Sequence, residues 1–290
     1  MAPVPLQAAA VVVACVFGAV VGSFLNVCIF RLPQRESIVW PGSYCYSCGA
    51  ELRALDLVPI LSYLFLRGRC RHCGHRFSAQ YPFVEALTAA LFGLAVYIFW
   101  EHWLEALLVI IAGSSLLVIL FVDLKHYIIP DELSAIVWMT GLAHDALMLA
   151  TGGWGLVQFR EVFGGAEVTM ALPRSLLGTV VGAGLFYGLM WLFDRLFGRE
   201  TMGAGDIKLA GAVGAWFGPG YEFVAFFLIA VIAGALIGVI LRALHLKGRW
   251  AYIPFGPMMA GSALVLMLWG DPVTAFVIRI YNPTVFAALS

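Results

Sequence analysis

The feature that most limits what this chain can become is a recurring run of apolar residues close to the length of a bilayer-crossing helix. Such runs fall near 7–30, 82–100, 103–122, 133–150, 174–193, 206–218, 222–243 and 252–270. A hydrocarbon core about 30 Å thick takes about 20 apolar residues in a helix, and most of these runs meet that length. The run at 206–218 is short and glycine-rich, and a stretch at 273–289 reads as an interfacial or half-spanning segment. Composition agrees: 62% of residues are hydrophobic and 12% charged, where a soluble domain carries about 25% charged residues. The first run has no basic segment before it, contains Asn26 and Cys28, and shows no small-residue cleavage site, so it reads as a retained helix. The expectation is an all-α polytopic membrane protein of about eight transmembrane helices, with no soluble part large enough to fold alone. A net charge of zero gives no reason to expect a nucleic-acid partner.

Orientation follows from where the basic residues fall, because short loops rich in Lys and Arg stay in the cytoplasm. With the amino terminus outside, all but three of the 17 lysines and arginines lie on the inner side, the exceptions being Arg160, Arg174 and Arg279. The opposite orientation inverts that ratio.

Four of the six cysteines fall in the first inner loop, as Cys45-Tyr-Ser-Cys48 and Cys70-Arg-His-Cys73. A glycine follows each pair (Gly49 and Gly74), which allows a tight knuckle to turn two thiolates toward one ion. Two such knuckles suit a closed tetrahedral zinc site. A rubredoxin-like iron site is the alternative ion, and two disulfides are disfavoured in a cytoplasmic loop, where thiols are kept reduced. With four thiolates already available, His72 and His75 read as surface residues. Cys15 and Cys28 read as small core residues of the first helix.

Carboxylates beside membrane segments are costly, and each calls for a reason. Asp123 closes the third run, in Phe121-Val-Asp-Leu-Lys-His-Tyr-Ile-Ile-Pro130-Asp131; Asp206 opens the sixth, in Gly203-Ala-Gly-Asp206-Ile-Lys208. On the orientation above, both lie at the cytoplasmic boundary. Gly203 and Gly205 permit irregular backbone, which at membrane depth is tolerated only where it lines a cavity or is buried in protein. Two aspartates sharing a proton would make an acid–base dyad, one activating water and the other polarising a carbonyl. A lone aspartate at a helix end is also often a cap, and Asp131 reads as the N-cap of the fourth helix. Lys125 and Lys208 each follow an aspartate by two residues, do not face it along a helix, and read as snorkelling to the cytoplasm. Glu85 and Asn26 are polar outliers, either binding a substrate amine or bonding a neighbouring helix.

Other functions fit parts of this pattern. A proton- or cation-coupled transporter could use the same aspartates, but only the short repeat of Asp-x-Lys supports it. A zinc-bearing membrane scaffold needs neither aspartate.

In order along nearly the whole chain, five further motifs accompany the GxGD pattern at Gly203–Asp206. They are Gly22-Ser-Phe-Leu-Asn-Val-Cys-Ile-Phe-Arg-Leu-Pro33, the paired CxxC loop, Tyr81-Pro-Phe-Val-Glu85-Ala-Leu-Thr88, Asp123 through Ile129-Pro130-Asp131, and Ile253-Pro-Phe-Gly-Pro257. Together they resemble the type IV prepilin peptidases, bacterial GxGD aspartic proteases; preflagellin peptidases, related in chemistry, are expected to lack the large cysteine loop. The resemblance implies an enzyme that cuts the leader from prepilins or type II secretion pseudopilins after a glycine at the cytoplasmic face. It also implies methylation of the new terminal amine, with S-adenosylmethionine as donor. By position, the catalytic aspartates fall on Asp123 and Asp206, the zinc ligands on Cys45, Cys48, Cys70 and Cys73, and a methyltransferase-associated glycine on Gly68. The implied organisation is a first transmembrane helix (1–30), a cytoplasmic zinc loop (31–80) and an intramembrane peptidase domain (81–290). The implied setting is the bacterial inner membrane, with prepilin precursors and lipid as partners.

Overall fold

The computed structural model describes residues 4–152, 156–163, 166–198, 202–244 and 254–281. Arg199, Lys247 and Arg249 of the predicted inner loops, Ile253, the side chain of Arg160 and residues 282–289 of the last apolar stretch lie outside the described residues.

The chain is nearly all helix. Its order is α1 (Val4–Arg31), α2 (Leu61–Phe65), α3 (Gln80–Ile98), α4 (Trp103–His126), α5 (Asp131–Ala150), β1 (Leu156–Phe163), β2 (Ala166–Pro173), α6 (Arg174–Phe197), α7 (Ala204–Phe217), α8 (Tyr221–Ala243) and α9 (Gly256–Tyr281). Helix boundaries follow local chemistry. Pro130 and Pro173 precede α5 and α6, where their fixed φ suits a helix start and no donor is missed. Gly198 closes α6 in a left-handed conformation, giving its N–H to the Asp194 carbonyl.

Among the described residues, seven helices are long and apolar enough to cross a membrane: all of the long ones except α7. The predicted sixth span is α7, only 14 residues, about 21 Å at the helical rise. It is the central helix of its unit instead of a lipid-facing one, and its residues from Leu209 to Phe217 are all buried. The two predicted terminal segments, 252–270 and 273–289, are one helix through Tyr281, bent where Trp269 leaves helical geometry (φ −131°) just before Pro272. The antiparallel hairpin β1–β2, with Leu156 opposite Pro173 and Phe163 opposite Ala166, was not foreseen from the sequence.

The chain divides into two compact units, Met1–Val122 and Asp123–Ser290, with the division inside α4. In the first, α1 lies along α3. Gly18 and Gly22 make that approach close: a Cβ on Gly22 would sit 2.7 Å from the Glu85 Cα, and one on Gly18 2.8 Å from the Thr88 carbonyl oxygen. The sulfur of Cys15 fills the space left by Gly93, and Cys28 is buried. In the second unit, α7 packs chiefly on α5 and α6, while α8 and α9 pack on each other. Gly178 and Gly182 of α6 meet Gly214 and Ala210 of α7 backbone to backbone, the close packing that small residues four apart allow in a membrane. On the other side, Trp216 donates its indole N–H to the Val137 carbonyl and the Thr140 hydroxyl (3.1 and 3.2 Å), tying α7 to α5.

Candidate active site and metal centre

Asp123 lies in the last turn of α4 and Asp206 in the first turn of α7, each 5% exposed. Both belong to the second unit. The chain leaves α4 at Tyr127, whose φ of 57° is left-handed and whose N–H bonds the Asp123 carbonyl at 3.0 Å. It then runs through Ile128 and Ile129 to Pro130, which starts α5.

Each carboxylate is served by a backbone N–H at a helix start. Gly203 donates to Asp206 Oδ2 at 3.3 Å, while the Asp206 N–H bonds the Gly203 carbonyl at 3.1 Å, closing the turn that opens α7. Gly256, the first residue of α9, donates its N–H to the Asp123 carboxylate. Helix amino termini carry partial positive charge, which favours an anion at Asp206 and, from α9, at Asp123, where the carboxy-terminal end of α4 acts against it. The charge of Asp206 also reaches Asp123.

Absent side chains shape this site. A Cβ on Gly256 would lie 2.5 Å from Asp123 Oδ2 and 3.1 Å from the Ile129 Cδ1; one on Gly205 would lie 3.1 Å from the Ile129 Cβ. Ile129 thus fills the space between the glycine of the GxGD turn and the glycine that opens α9. Residue reading alone gave Ile129 and Gly256 no role. The signal for them was present only as membership of ordered motifs around the aspartates.

Two expectations for nearby charges are revised. Lys208 does not simply snorkel: its ammonium binds both carboxylate oxygens of Asp131, at 2.7 and 2.8 Å. Asp131 is the first helical residue of α5 and not its cap, a position held by Pro130. The pair joins the starts of α5 and α7 at an exposed position. Two further polar groups went unforeseen. Asp145, buried near the end of α5, accepts from the Ser175 N–H and hydroxyl (2.9 and 2.6 Å), and so caps the first turn of α6. Arg174 bonds the Phe217 carbonyl at 2.7 Å and pairs with Glu222 of α8.

The candidate metal centre lies in the first unit. The sulfurs of Cys45, Cys48, Cys70 and Cys73 all fall within 4.8 Å of one another, with Cys45 and Cys73 3.9 Å apart. Tetrahedral zinc with bonds of about 2.3 Å places its sulfurs about 3.8 Å apart, so the residues fit that ion. All four cysteines are free, as a set of metal ligands requires.

The two knuckles are built alike. Cys45 and Cys70 take the carbonyls of Ala50 and His75 (2.9 and 2.8 Å). Gly49 and Gly74 return their N–H groups to the carbonyls of Cys45 and Cys70 (2.8 and 2.9 Å), at φ of 70° and 72°. The N–H groups of Cys73 and His72 directed at the Cys70 sulfur hold its thiol down at about 7, toward the thiolate a metal requires. His72 and His75 are exposed and add no ligand to the group.

Gly68 precedes the second knuckle at φ 65°, and a Cβ there would meet the Tyr63 ring at 2.8 Å. It packs against Tyr63, which lines a cavity beneath the zinc loop.

Family models match both parts of the chain. The bacterial peptidase A24 N-terminal domain matches residues 16–99, and the type IV leader peptidase family matches residues 109–239. Proteins named prepilin leader peptidase/N-methyltransferase are similar over most of their length. That of Pseudomonas putida is 33% identical, covering 91% of this chain and 92% of its own. That of Legionella pneumophila is 34% identical (89% and 90%), and that of Aeromonas hydrophila 32% (89% and 90%). No solved structure matches.

Proposed function

This chain belongs to the type IV leader peptidase family, and from that premise we propose that it cleaves prepilin-type precursors with Asp123 and Asp206 and methylates the amine so exposed. The observation that carries the reading is the joint placement of the two aspartates. They come from separate helices, are buried at helix ends, and each accept a backbone N–H, and the charge of Asp206 reaches Asp123.

In the reaction that follows, the dyad holds a single proton. The ionised carboxylate takes a proton from water, which attacks the scissile carbonyl. The protonated one hydrogen-bonds the carbonyl oxygen and stabilises the charge that develops there. The N–H groups of Gly203 and Gly256 fix the orientation of the two carboxylates, so neither must reorganise as charge moves between them.

The substrate class suits this depth. A prepilin or type II pseudopilin carries a basic leader ahead of an apolar helix, so its scissile bond, after a glycine, lies at the cytoplasmic membrane surface. The orientation proposed here sets the amino terminus outside, in a multi-pass protein of the bacterial inner membrane, with the zinc loop and both aspartates at the cytoplasmic side. The four cysteines hold zinc as a structural ion, which supplies cross-linking of the loop. S-adenosylmethionine is the proposed methyl donor, and Gly68 contributes by leaving room for the Tyr63 ring beside the loop.

The test is cleavage of a synthetic prepilin in lipid or detergent, with products resolved by mass, for the parent and Asp206→Asn. Cleavage after glycine that vanishes in the variant, with a methyl mass gained when the donor is present, supports both activities. Cleavage retained by Asp206→Asn removes that residue from the dyad.

A further inference from the structure

Asn26 and Glu85 take no part in the dyad, yet both are deeply buried polar groups, 1% and 6% exposed. Both line the cavity beneath the zinc loop, together with the rings of Tyr63, Phe77 and Tyr81. The Asn26 amide has one orientation, because its Nδ2 donates to the carbonyls of Gly22 and Tyr81 at 3.2 and 3.1 Å. Its Oδ1 therefore faces away from them, and it has no hydrogen-bond partner. A buried acceptor left without a donor costs about 1–3 kcal/mol.

Glu85 makes the missing donor a cation. Its Oε2 accepts the Ile60 N–H at 2.7 Å, and the Ser23 hydroxyl bonds the same carboxylate. Both donors are neutral. Among the described residues no cation pairs with Glu85. Of the three arginines on the cavity wall, Arg31 is engaged with the carbonyls of Ser37, Pro41 and Gly42 and Arg71 with Asp56, while Arg69 is exposed and forms no ion pair with Glu85 among the described residues.

We infer that Asn26 and Glu85 form a binding site for a primary ammonium group. An ammonium brings positive charge and three N–H donors, enough for Asn26 Oδ1 and the carboxylate together. The neighbouring rings suit an apolar side chain beside the amine and the face of a bound cation. The inference rests on the cleavage-and-methylation reading, under which removal of the leader creates such a group in every cycle. An amino-acid sulfonium donor carries the same group, so the test runs both.

Binding is measured by calorimetry on the full-length, zinc-loaded protein. The probes are a synthetic peptide with the apolar start of a mature pilin and a free amino terminus, its N-acetylated twin, and S-adenosylhomocysteine. The free-amine peptide is expected to bind at least tenfold more tightly than its twin, and Glu85→Gln is expected to erase that difference while zinc content stays at the parental level. A tenfold loss for S-adenosylhomocysteine instead keeps the ammonium site and assigns it to the donor. Equal binding of the free and acetylated peptides, with S-adenosylhomocysteine indifferent to Glu85→Gln, overturns the inference. If Glu85→Gln loses its zinc, the two peptides on the parent and on Asn26→Leu decide alone: removal of Oδ1 is expected to weaken the preference for the free amine severalfold, and an undiminished preference overturns the part given to Asn26. A parent that prefers the free amine but transfers no methyl group keeps this site and removes the methylation reading.

Discussion

The backbone N–H of Gly256 bonds the carboxylate of Asp123, and the space where a Cβ of Gly256 would lie is taken by Asp123 Oδ2, 2.5 Å away. Gly256→Ala is therefore expected to displace the aspartate and lower prepilin cleavage by well over about tenfold, a barrier change above about 1.4 kcal/mol. Gly205→Ala meets only the Ile129 side chain at 3.1 Å and should cost less. Gly203→Ala meets nothing nearer than 3.8 Å and should cost least. Cleavage rates of the three variants in the reverse order would sink this account of the site.

Metal content should follow the four sulfurs. The parent is expected to carry one zinc per chain by elemental analysis, and Cys45→Ser or Cys73→Ser to lose most of it. Proton competition sets the pH sign: the ligands bind as thiolates, so zinc is held at neutral pH and released as acidification protonates them. Zinc content unchanged in both serine variants would reject the site. Iron in its place would keep the ligands and correct the ion.

Asp145→Ala removes the partner of a buried N–H and a buried hydroxyl at Ser175. The expected loss of stability is about 1–3 kcal/mol, read as a lowered unfolding midpoint in detergent. Asp145→Asn keeps an acceptor and should recover part of it. An unchanged midpoint for Asp145→Ala would show that the cap contributes nothing.

The Lys208–Asp131 pair is exposed, with side chains 53% and 68% accessible, and exposed pairs are worth about 0–1 kcal/mol. Lys208→Ala should shift stability within that range and change cleavage only a few-fold. Exchange of the two charges (Lys208→Asp with Asp131→Lys) should restore most of any loss. Cleavage abolished by Lys208→Ala would make the lysine part of the reacting apparatus.

Much of this was legible in the sequence, for definable reasons. Long apolar runs declare helices, and the cysteine pairs with their glycines declare two knuckles, because both signals are local. What failed was local too. The 206–218 run is as apolar as a lipid-facing span, but its glycines and alanines press against α5 and α6, and hydropathy does not distinguish protein from lipid as an apolar neighbour. The partners of Asp145 and Lys208 lie 30 and 77 residues away, beyond any spacing rule. Ile129 and Gly256 matter only because three chain segments meet where they lie.

The backbone contact between α6 and α7 decides how the site can open. With Gly178 against Gly214, and Trp216 bonded across to α5, Asp206 is mounted on a helix that can neither slide nor turn without breaking both seams. Asp123 is held instead by the start of α9, which packs mainly on α8. Because Asp123 itself stands on α4, a swing of α9 away from it would release the Gly256 hydrogen bond and free that carboxylate to turn, while Asp206 stays on the seams of α7 with α5 and α6. Spin labels on α6 and α9 would register that swing as a lengthening distance, while a pair on α6 and α7 would stay at one value.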